Sequence, residues 1–272
     1  TLRRGVMQDE ARPSAPSEIE SMVKMLRSAL KEGGIGLSTG LVYTHARGAG
    51  ARELTQLVSV VSDFQGVYAT YIRDESAGLV KAVEEAISIA RESKVPLHIS
   101  HLKAVGKQYW PLMNEVFHLI EMASANGIDI SFDVYPYITT GSVMYTLLPK
   151  WITEGGRKMM LYRLRDQQVR QAVIRDMKKE PREYDRIFLS SSQLNRMTTN
   201  RCIADIARLQ EKEPEEIVID ILLASDGRAI VSLEVLAKEI GVNAIVHPMS
   251  IISSNGAGYA IVHKLTGDLV HP

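Results

Sequence analysis

"PLHISHLKA", residues 96–104, reads as a short buried β-strand that ends in a histidine, His101. "VYATYIRDES", residues 67–76, is an earlier apolar strand that ends in Tyr71 and then runs into charged residues. Residues 78–93, between the two strands, carry apolar side chains at helical spacing. A strand, a helix and a strand that repeat every ~30 residues match the length of a right-handed parallel crossover. The two segments therefore predict neighbouring parallel strands that bring Tyr71 and His101 to the same edge of a sheet.

The same alternation of strand and helix extends over the first half of the chain. Further strands are expected at 35–38 and 128–135, and further helices at 17–32, 51–64 and 111–126. The strands are apolar on both faces, as they are in a parallel sheet that helices cover. The predicted fold class is therefore α/β, and functional side chains should lie at the carboxyl ends of its strands.

The alternation defines three parts of the chain. Residues 1–145 contain the βα units, and residues 146–226 are rich in charge and read mainly as a helical insertion whose charged face favours solvent over nucleic acid. Residues 227–272 resume the earlier pattern with "RAIVS" (228–232) and "MSIISSNG" (249–256), so we expect them to return to the first sheet. About six strands of one parallel sheet are then expected.

Composition limits the class of protein. The 272 residues are 45% hydrophobic and contain 32 basic and 32 acidic side chains, so no net field attracts nucleic acid or an anionic membrane. No apolar run is long enough to span a bilayer, and the N-terminal stretch lacks the apolar core of a signal peptide. The single cysteine, Cys202, agrees with a reducing compartment and excludes a cysteine-based zinc cluster within the chain. We expect a cytoplasmic protein whose partner is a small molecule or another protein.

Polar and aromatic side chains follow each predicted strand at the edge where chemistry is expected. A dinucleotide site is not favoured, because "GGIGLSTG" (33–40) lacks the G-x-G-x-x-G spacing. The candidates are Ser38 to Tyr43, Tyr71 and Arg73, His101 and Lys103, Asp133 to Tyr137, and Ser254 to Gly256.

These strand ends together resemble one family. The segments that carry the resemblance are "GIGLSTGLVY", "GVYATYIRDES", "HISHLKAVGK", "SFDVYPYITTGS" and "IISSNGAG". In this order they are similar to the D-aminoacylase family, the N-acyl-D-amino-acid deacylases of the amidohydrolase superfamily. The resemblance implies a (β/α)8 TIM barrel of amidohydrolase type, here incomplete, with a helical insertion. It also implies that this chain is a segment without the family's N-terminal metal-binding strand, and that the activity is metal-dependent hydrolysis of the amide bond of N-acyl-D-amino acids.

The resemblance also assigns roles to individual residues. An amide is a poor electrophile, and a bound Zn²⁺ polarises its carbonyl and lowers the pKa of a water to about 7 while a carboxylate transfers the proton. Zn²⁺ is thus the expected cofactor, with His101 as one ligand. Tyr71 stands where the family has another ligating histidine, and Asn255 stands where it has the catalytic aspartate. Lys103, with Tyr135 or Tyr137, would hold the substrate carboxylate, and Tyr43 and Arg73 are further candidates for the substrate pocket.

The two departures from the family pattern both remove chemistry. A phenol has an unperturbed pKa of about 10, and a carboxamide cannot act as a base. Impaired activity is therefore expected, unless Tyr71 simply packs under the insertion and the alignment is shifted by a residue. Two alternatives stay open: a non-catalytic relative that binds a small molecule or assembles with another chain, and a cyclic amide hydrolase of the hydantoinase or dihydroorotase type. An incomplete barrel also leaves open edges: either the missing strands belong to a longer protein, or a second copy or another chain covers the edges.

Overall fold

The computed structural model describes residues 2–8, 12–180, 182–191, 201–234 and 236–254. The helices, in chain order, are α1 (Leu2–Met7), α2 (Pro16–Lys31), α3 (Thr44–Arg47), α4 (Ala51–Ser62), α5 (Leu79–Ser93), α6 (Leu112–Ala125), α7 (Gly156–Arg163), α8 (Gln167–Lys178), α9 (Ile203–Leu209), α10 (Pro214–Ala224) and α11 (Lys238–Ile245). The strands are β1 (Gly36–Gly40), β2 (Val67–Tyr71), β3 (Leu97–Ile99), β4 (Ile130–Val134), β5 (Thr140–Val143), β6 (Ile187–Ser191), β7 (Ile230–Leu233) and β8 (Ser250–Ile252). No helix among these residues is long and apolar enough to cross a membrane.

A parallel sheet forms the centre of the first half of the chain. Its strand order is β1, β2, β3, β4 and β8, and all pairs are parallel. Thr70, Ile99 and Phe132 lie side by side on a fully buried face. One residue earlier on each strand, Ala69 and His98 face the opposite, half-buried side. The predicted α/β class with a parallel sheet is confirmed.

Local chemistry sets the ends of the helices that connect these strands. α5 stops at Lys94, which is left-handed (φ 55°) and donates its backbone N–H to the carbonyls of the last helical turn. α6 is followed by Gly127, also at positive φ (84°), a conformation that glycine adopts without steric cost. After each of these helix ends the chain returns to the sheet within a few residues. Because β2, β3 and β4 are parallel, their carboxyl ends lie at the same edge of the sheet.

Residues 146–226, predicted to be mainly helical, also contain the strand β6, which forms a second sheet with β5 and β7 from the flanking parts of the chain. β5, β7 and β6 form an antiparallel sheet in that order, so the "RAIVS" segment does not return to the parallel sheet. The prediction was wrong here because β7 alternates exposed and buried side chains, as one-sided antiparallel strands do. The parallel sheet therefore has five described strands and not six, and only β8 rejoins it. The three-part division as a whole stays a prediction.

Two hydrophobic clusters correspond to the two sheets. The first cluster packs α2, α4, α5 and α6 against the parallel sheet, with Met22, Val58 and Val83 fully buried. The second joins α7 to α10 and the antiparallel sheet, with Met160, Val173 and Leu222 fully buried. A cleft of about 1180 Å³ lies between the two parts, and its lining comes from both. Its lining includes Val42 after β1, Tyr71 at the end of β2 and Val105 after β3.

Candidate functional site at the strand ends

Tyr71 and His101 lie in contact at the carboxyl edge of the parallel sheet. Their ring centroids are 4.3 Å apart and the rings are nearly perpendicular (86°), an edge-to-face arrangement. Tyr71 is the last residue of β2, and His101 follows β3. The sequence prediction that these two side chains share one edge is confirmed.

A buried ion pair lies beside these rings. The Lys103 ammonium donates to Glu75 Oε1 at 2.6 Å, and both side chains are only 8% exposed. Lys103 Nζ is also 3.1 Å from His101 Nδ1 and 3.0 Å from the His101 carbonyl oxygen. The Tyr71 hydroxyl donates to the second Glu75 oxygen at 3.2 Å. We call Tyr71, Glu75, His101 and Lys103 the strand-end cluster.

Burial and charge shift the pKa values within the strand-end cluster. Burial opposes the ionised form of Glu75, but the Lys103 charge and the contacts with His101 and Lys103 hold its pKa below the usual value. Burial, reinforced by the negative charge of Glu75, raises the pKa of Tyr71. Tyr71 is therefore a neutral phenol and Glu75 an ionised carboxylate at neutral pH.

The backbone at His101 holds the imidazole in place. His101 has a positive φ of 41°, an uncommon conformation for a residue with a side chain. Two bonds support this turn: the Leu102 N–H donates to the Asp133 carbonyl at 2.9 Å, and the Ser100 N–H donates to the Thr70 carbonyl at 2.9 Å. Backbone strain of this kind persists only where the surroundings fix it, and it is common at functional sites.

The remaining aromatic candidates surround the cluster. Tyr135 is 7% exposed, and the Lys103 ammonium lies 5.8 Å from its ring centroid. The Tyr43 ring packs edge-on against Tyr71 at 5.8 Å. Tyr137 is 53% exposed and lies farther out, 6.1 Å from Tyr135 between ring centroids. The structure thus brings Tyr43 and Tyr135 to the cluster and leaves Tyr137 at the surface, while their substrate contacts stay predictions.

Arg73 is committed to structural bonds. Its guanidinium donates to Glu85 on α5 at 2.9 Å and to the carbonyl oxygens of Arg47 and Ala49 at 2.7 and 2.8 Å. Although Arg73 borders the cleft, these contacts join β2 to the preceding loop and to α5. The geometry therefore favours a structural role for Arg73 over the predicted contact with substrate.

The structure places two acidic residues at this edge: Glu75, which is not among the sequence candidates, and Asp133, which is. Glu75 lies four residues after the end of β2 and is the anion of the strand-end cluster. Asp133 accepts a bond from His98 Nε2 at 2.9 Å, while His98 Nδ1 lies 2.9 Å from Ser131 Oγ. His98 is thus held by polar partners on both ring nitrogens.

The strand-end cluster does not fit a zinc ion in this arrangement. Among the residues that the structure describes, no three His, Cys, Asp or Glu side chains are placed to hold a metal ion. The Lys103 ammonium lies 3.1 Å from His101 Nδ1 and 2.6 Å from Glu75 Oε1, in the space where an ion bound by these two groups would lie. Asn255, the predicted position of the catalytic aspartate, lies outside the described residues.

Comparison with known proteins agrees with the motifs at these strand ends. No family model matches the chain. In sequence it is 40% identical over 144 residues to the D-aminoacylase of Alcaligenes xylosoxydans xylosoxydans, a match that covers 53% of this chain and 29% of that protein. In structure it matches a crystal structure of D-aminoacylase with a TM-score of 0.73 and 27% identity, over 94% of this chain and 46% of that one. The chain is similar to D-aminoacylases. The expected resemblance to D-aminoacylases is thereby confirmed, together with an incomplete barrel of amidohydrolase type.

Further relatives extend the D-aminoacylase resemblance. The N-acyl-D-aspartate deacylase of the same organism is 33% identical over 145 residues. The N-acyl-D-glutamate deacylase of Bordetella bronchiseptica, solved with zinc and a phosphonate inhibitor, has a TM-score of 0.75 at 23% identity and supports the fold alone. A mutant D-aminoacylase was solved with copper chloride, so these neighbours are metal-binding proteins. The matched regions span 29% of the curated relatives and 46% of the solved chains.

Proposed function

We propose that the protein acts on N-acyl-D-amino acids and that its reaction is hydrolysis of their amide bond, with activity impaired in this chain. The observation that carries the proposal is the 40% identity over 144 residues to a D-aminoacylase. The placement of Tyr71 and His101 in contact at one strand edge supports it, because the family-like segments end there.

The cleft beside the strand-end cluster suits a small amphipathic carboxylate. Tyr71 and Trp110 line the cleft, and they would pack against an acyl group or an apolar side chain. Lys103 is a poor carboxylate ligand, because Glu75 and His101 already accept its hydrogens. Lys107 lines the same cleft, is exposed, and makes no ion pair with a described residue. We therefore place the substrate carboxylate near Lys107.

Two features of the strand-end cluster support impaired hydrolysis. Tyr71 keeps its phenol proton, since its pKa is raised by burial and by Glu75. Glu75 is a weak general base, since its pKa is held below the usual value despite burial. Zinc is the cofactor expected from the resemblance, but the described residues do not fit it, so no catalytic step is assigned to a metal here.

Calorimetric titration with both enantiomers tests the substrate class. The probes are the N-acetyl derivatives of D-methionine, D-glutamate and D-aspartate, each with its L enantiomer as control. At least one D enantiomer should bind about tenfold more tightly than its L counterpart, a difference of about 1.4 kcal/mol. Lys107→Ala should weaken this binding, and Lys81→Ala on the outer helix α5 should not. Absence of binding by all three D compounds would reject the proposal.

A non-catalytic binding protein is the second candidate. The observation that favours it is the closed set of contacts within the strand-end cluster, where Glu75, His101 and Lys103 satisfy one another. Release of acetate during incubation with the best-bound D compound separates the two candidates. Slow release of acetate favours the impaired hydrolase, and tight binding without release favours the binding protein.

We also infer a reducing, cytoplasmic location and coverage of the open sheet edges. The location is supported by the buried free thiol of Cys202. Coverage of the edges by a second copy or by another chain is supported by the exposed side chains of β8, where Ile251 and Ile252 are 52% and 64% exposed.

A further inference from the structure

The Lys103 ammonium lies at the centre of the strand-end cluster. Its three nearest acceptors are Glu75 Oε1 at 2.6 Å, His101 Nδ1 at 3.1 Å and the His101 carbonyl oxygen at 3.0 Å. An ammonium has three hydrogens to donate, so these acceptors use all of them. The side chain is 8% exposed, which leaves little room for water to take their place.

Aromatic rings complete the surroundings of this cation. Lys103 Nζ lies 5.4 Å from the centroid of the Tyr71 ring and 5.8 Å from that of Tyr135. Both distances are within the range of a cation–π interaction. A carboxylate, an imidazole nitrogen, a carbonyl oxygen and two ring faces thus surround one positive charge.

The side chains in the cluster that could bind a metal ion already contact one another or Lys103. One Glu75 oxygen binds Lys103, and the other accepts from the Tyr71 hydroxyl at 3.2 Å. His101 Nδ1 lies 3.1 Å from the Lys103 ammonium and 3.4 Å from Glu75 Oε1. A divalent ion would have to displace a buried ammonium from its only described carboxylate partner, and an unpaired buried charge is strongly unfavourable.

We propose that the Lys103 ammonium takes the place of a divalent metal ion in the strand-end cluster, so that Glu75, His101 and Tyr71 form a site closed to metal. The inference concerns the cation and not the substrate. It can fail while the deacylase proposal holds, and it can hold if no N-acyl-D-amino acid binds.

Zinc titration of the chelator-treated 272-residue chain tests the proposal without any substrate. Calorimetry gives the affinity, and elemental analysis after desalting gives the zinc content. His101→Ala should leave the zinc content and zinc affinity of the wild-type protein unchanged. Tyr71→His alone should also bind no zinc that depends on His101, because Lys103 is still present. His118→Ala, at an exposed histidine on α6, serves as the control for weak surface binding.

Removal of the ammonium should open the site. Lys103→Met keeps the length of the side chain, and Tyr71→His adds a ligand. The double variant should bind zinc at least about 100-fold more tightly than wild type, since even outer-shell changes around a metal alter affinity by about 10 to 100-fold. The proposal would be overturned if the wild type or Tyr71→His bound one zinc ion per chain and the His101→Ala substitution abolished that binding. A double variant that is folded by circular dichroism and still binds no zinc would also overturn it. The wild-type titration decides the question if the double variant does not fold.

Discussion

Glu75 balances the charge of the strand-end cluster. Its carboxylate is the only described anion in contact with Lys103, and both side chains are almost completely buried. The distance between them, 2.6 Å, is that of a charge-assisted hydrogen bond. A buried pair of this kind contributes little net stability as a pair, but the loss of one partner leaves the other charge unpaired.

Glu75→Gln should destabilise the fold strongly. Because Lys103 would be left buried without its anion, we expect the free energy of unfolding to fall by about 3–5 kcal/mol, measured by urea denaturation at neutral pH. Asp63→Asn is the matched control, since Asp63 pairs with Arg27 at the same kind of distance (2.7 Å) with side chains 55% and 46% exposed. The control should lose no more than about 1 kcal/mol. Equal losses in the two variants would show that Lys103 does not depend on Glu75.

The sequence predicts the position of Tyr71 and His101 but not the contacts of Lys103. The carboxyl ends of parallel strands must meet at one edge, and this rule predicts from the sequence alone that Tyr71 lies beside His101. The rule gives no side-chain direction for residues beyond the strand, so it could not show that Lys103 turns back toward Glu75. The family resemblance assigned Lys103 to the substrate carboxylate. In the structure, Glu75 and His101 accept the hydrogens of its ammonium.

The pairing of β1 with β2 depends on one glycine. Gly36 lies opposite Val67 in the register of the two strands, and a Cβ atom at this position would be 2.0 Å from the Val67 carbonyl oxygen. Neither backbone can move without disturbing the sheet that carries Tyr71. A side chain at position 36 is therefore incompatible with the observed register.

Gly36→Ala should weaken this strand pair. We expect the free energy of unfolding to fall by about 3 kcal/mol, the upper end of the range for overpacking, as measured by thermal or urea denaturation. Gly141→Ala in β5 is the control, because an added Cβ there meets no atom within 4 Å and the backbone has no positive φ. Tolerance of alanine at position 36 would contradict the close approach of β1 and β2.

Whole elements were predictable where periodicity and connection length agreed. The four helices and four strands predicted between residues 17 and 135 all occur, because each crossover leaves the chain few ways to return to the sheet, while the short helices α1 and α3 were not predicted. β7 was assigned to the wrong sheet, because its four residues, three of them apolar, indicate a strand but do not show which strand it pairs with. β5 was missed because its sequence, Thr140 to Val143, has a glycine and a serine at its centre.

At the scale of the whole molecule, the parallel sheet has two edges. β1 and β8 are the end strands of the sheet, and each pairs with only one described strand. Ile251 and Ile252 on β8 are more than half exposed. Exposed apolar edge strands are templates for pairing with another chain.

Ile252→Lys should reduce self-association of the 272-residue chain. A charge on an edge strand disfavours pairing with a second edge, so light scattering after size-exclusion chromatography should show a lower mass at equal concentration. Val246→Lys is the control, because Val246 is 72% exposed but follows α11 and lies outside the sheet. If both variants or neither lower the mass, the β8 edge is not the contact.

The most direct test is anomalous diffraction at the zinc absorption edge from crystals of the wild-type chain soaked in zinc chloride. The account predicts no anomalous peak among Glu75, His101 and Tyr71, and density for the Lys103 ammonium within hydrogen-bond distance of Glu75. A peak about 2.0–2.2 Å from a ring nitrogen of His101 and an oxygen of Glu75, with Lys103 turned away, would contradict it.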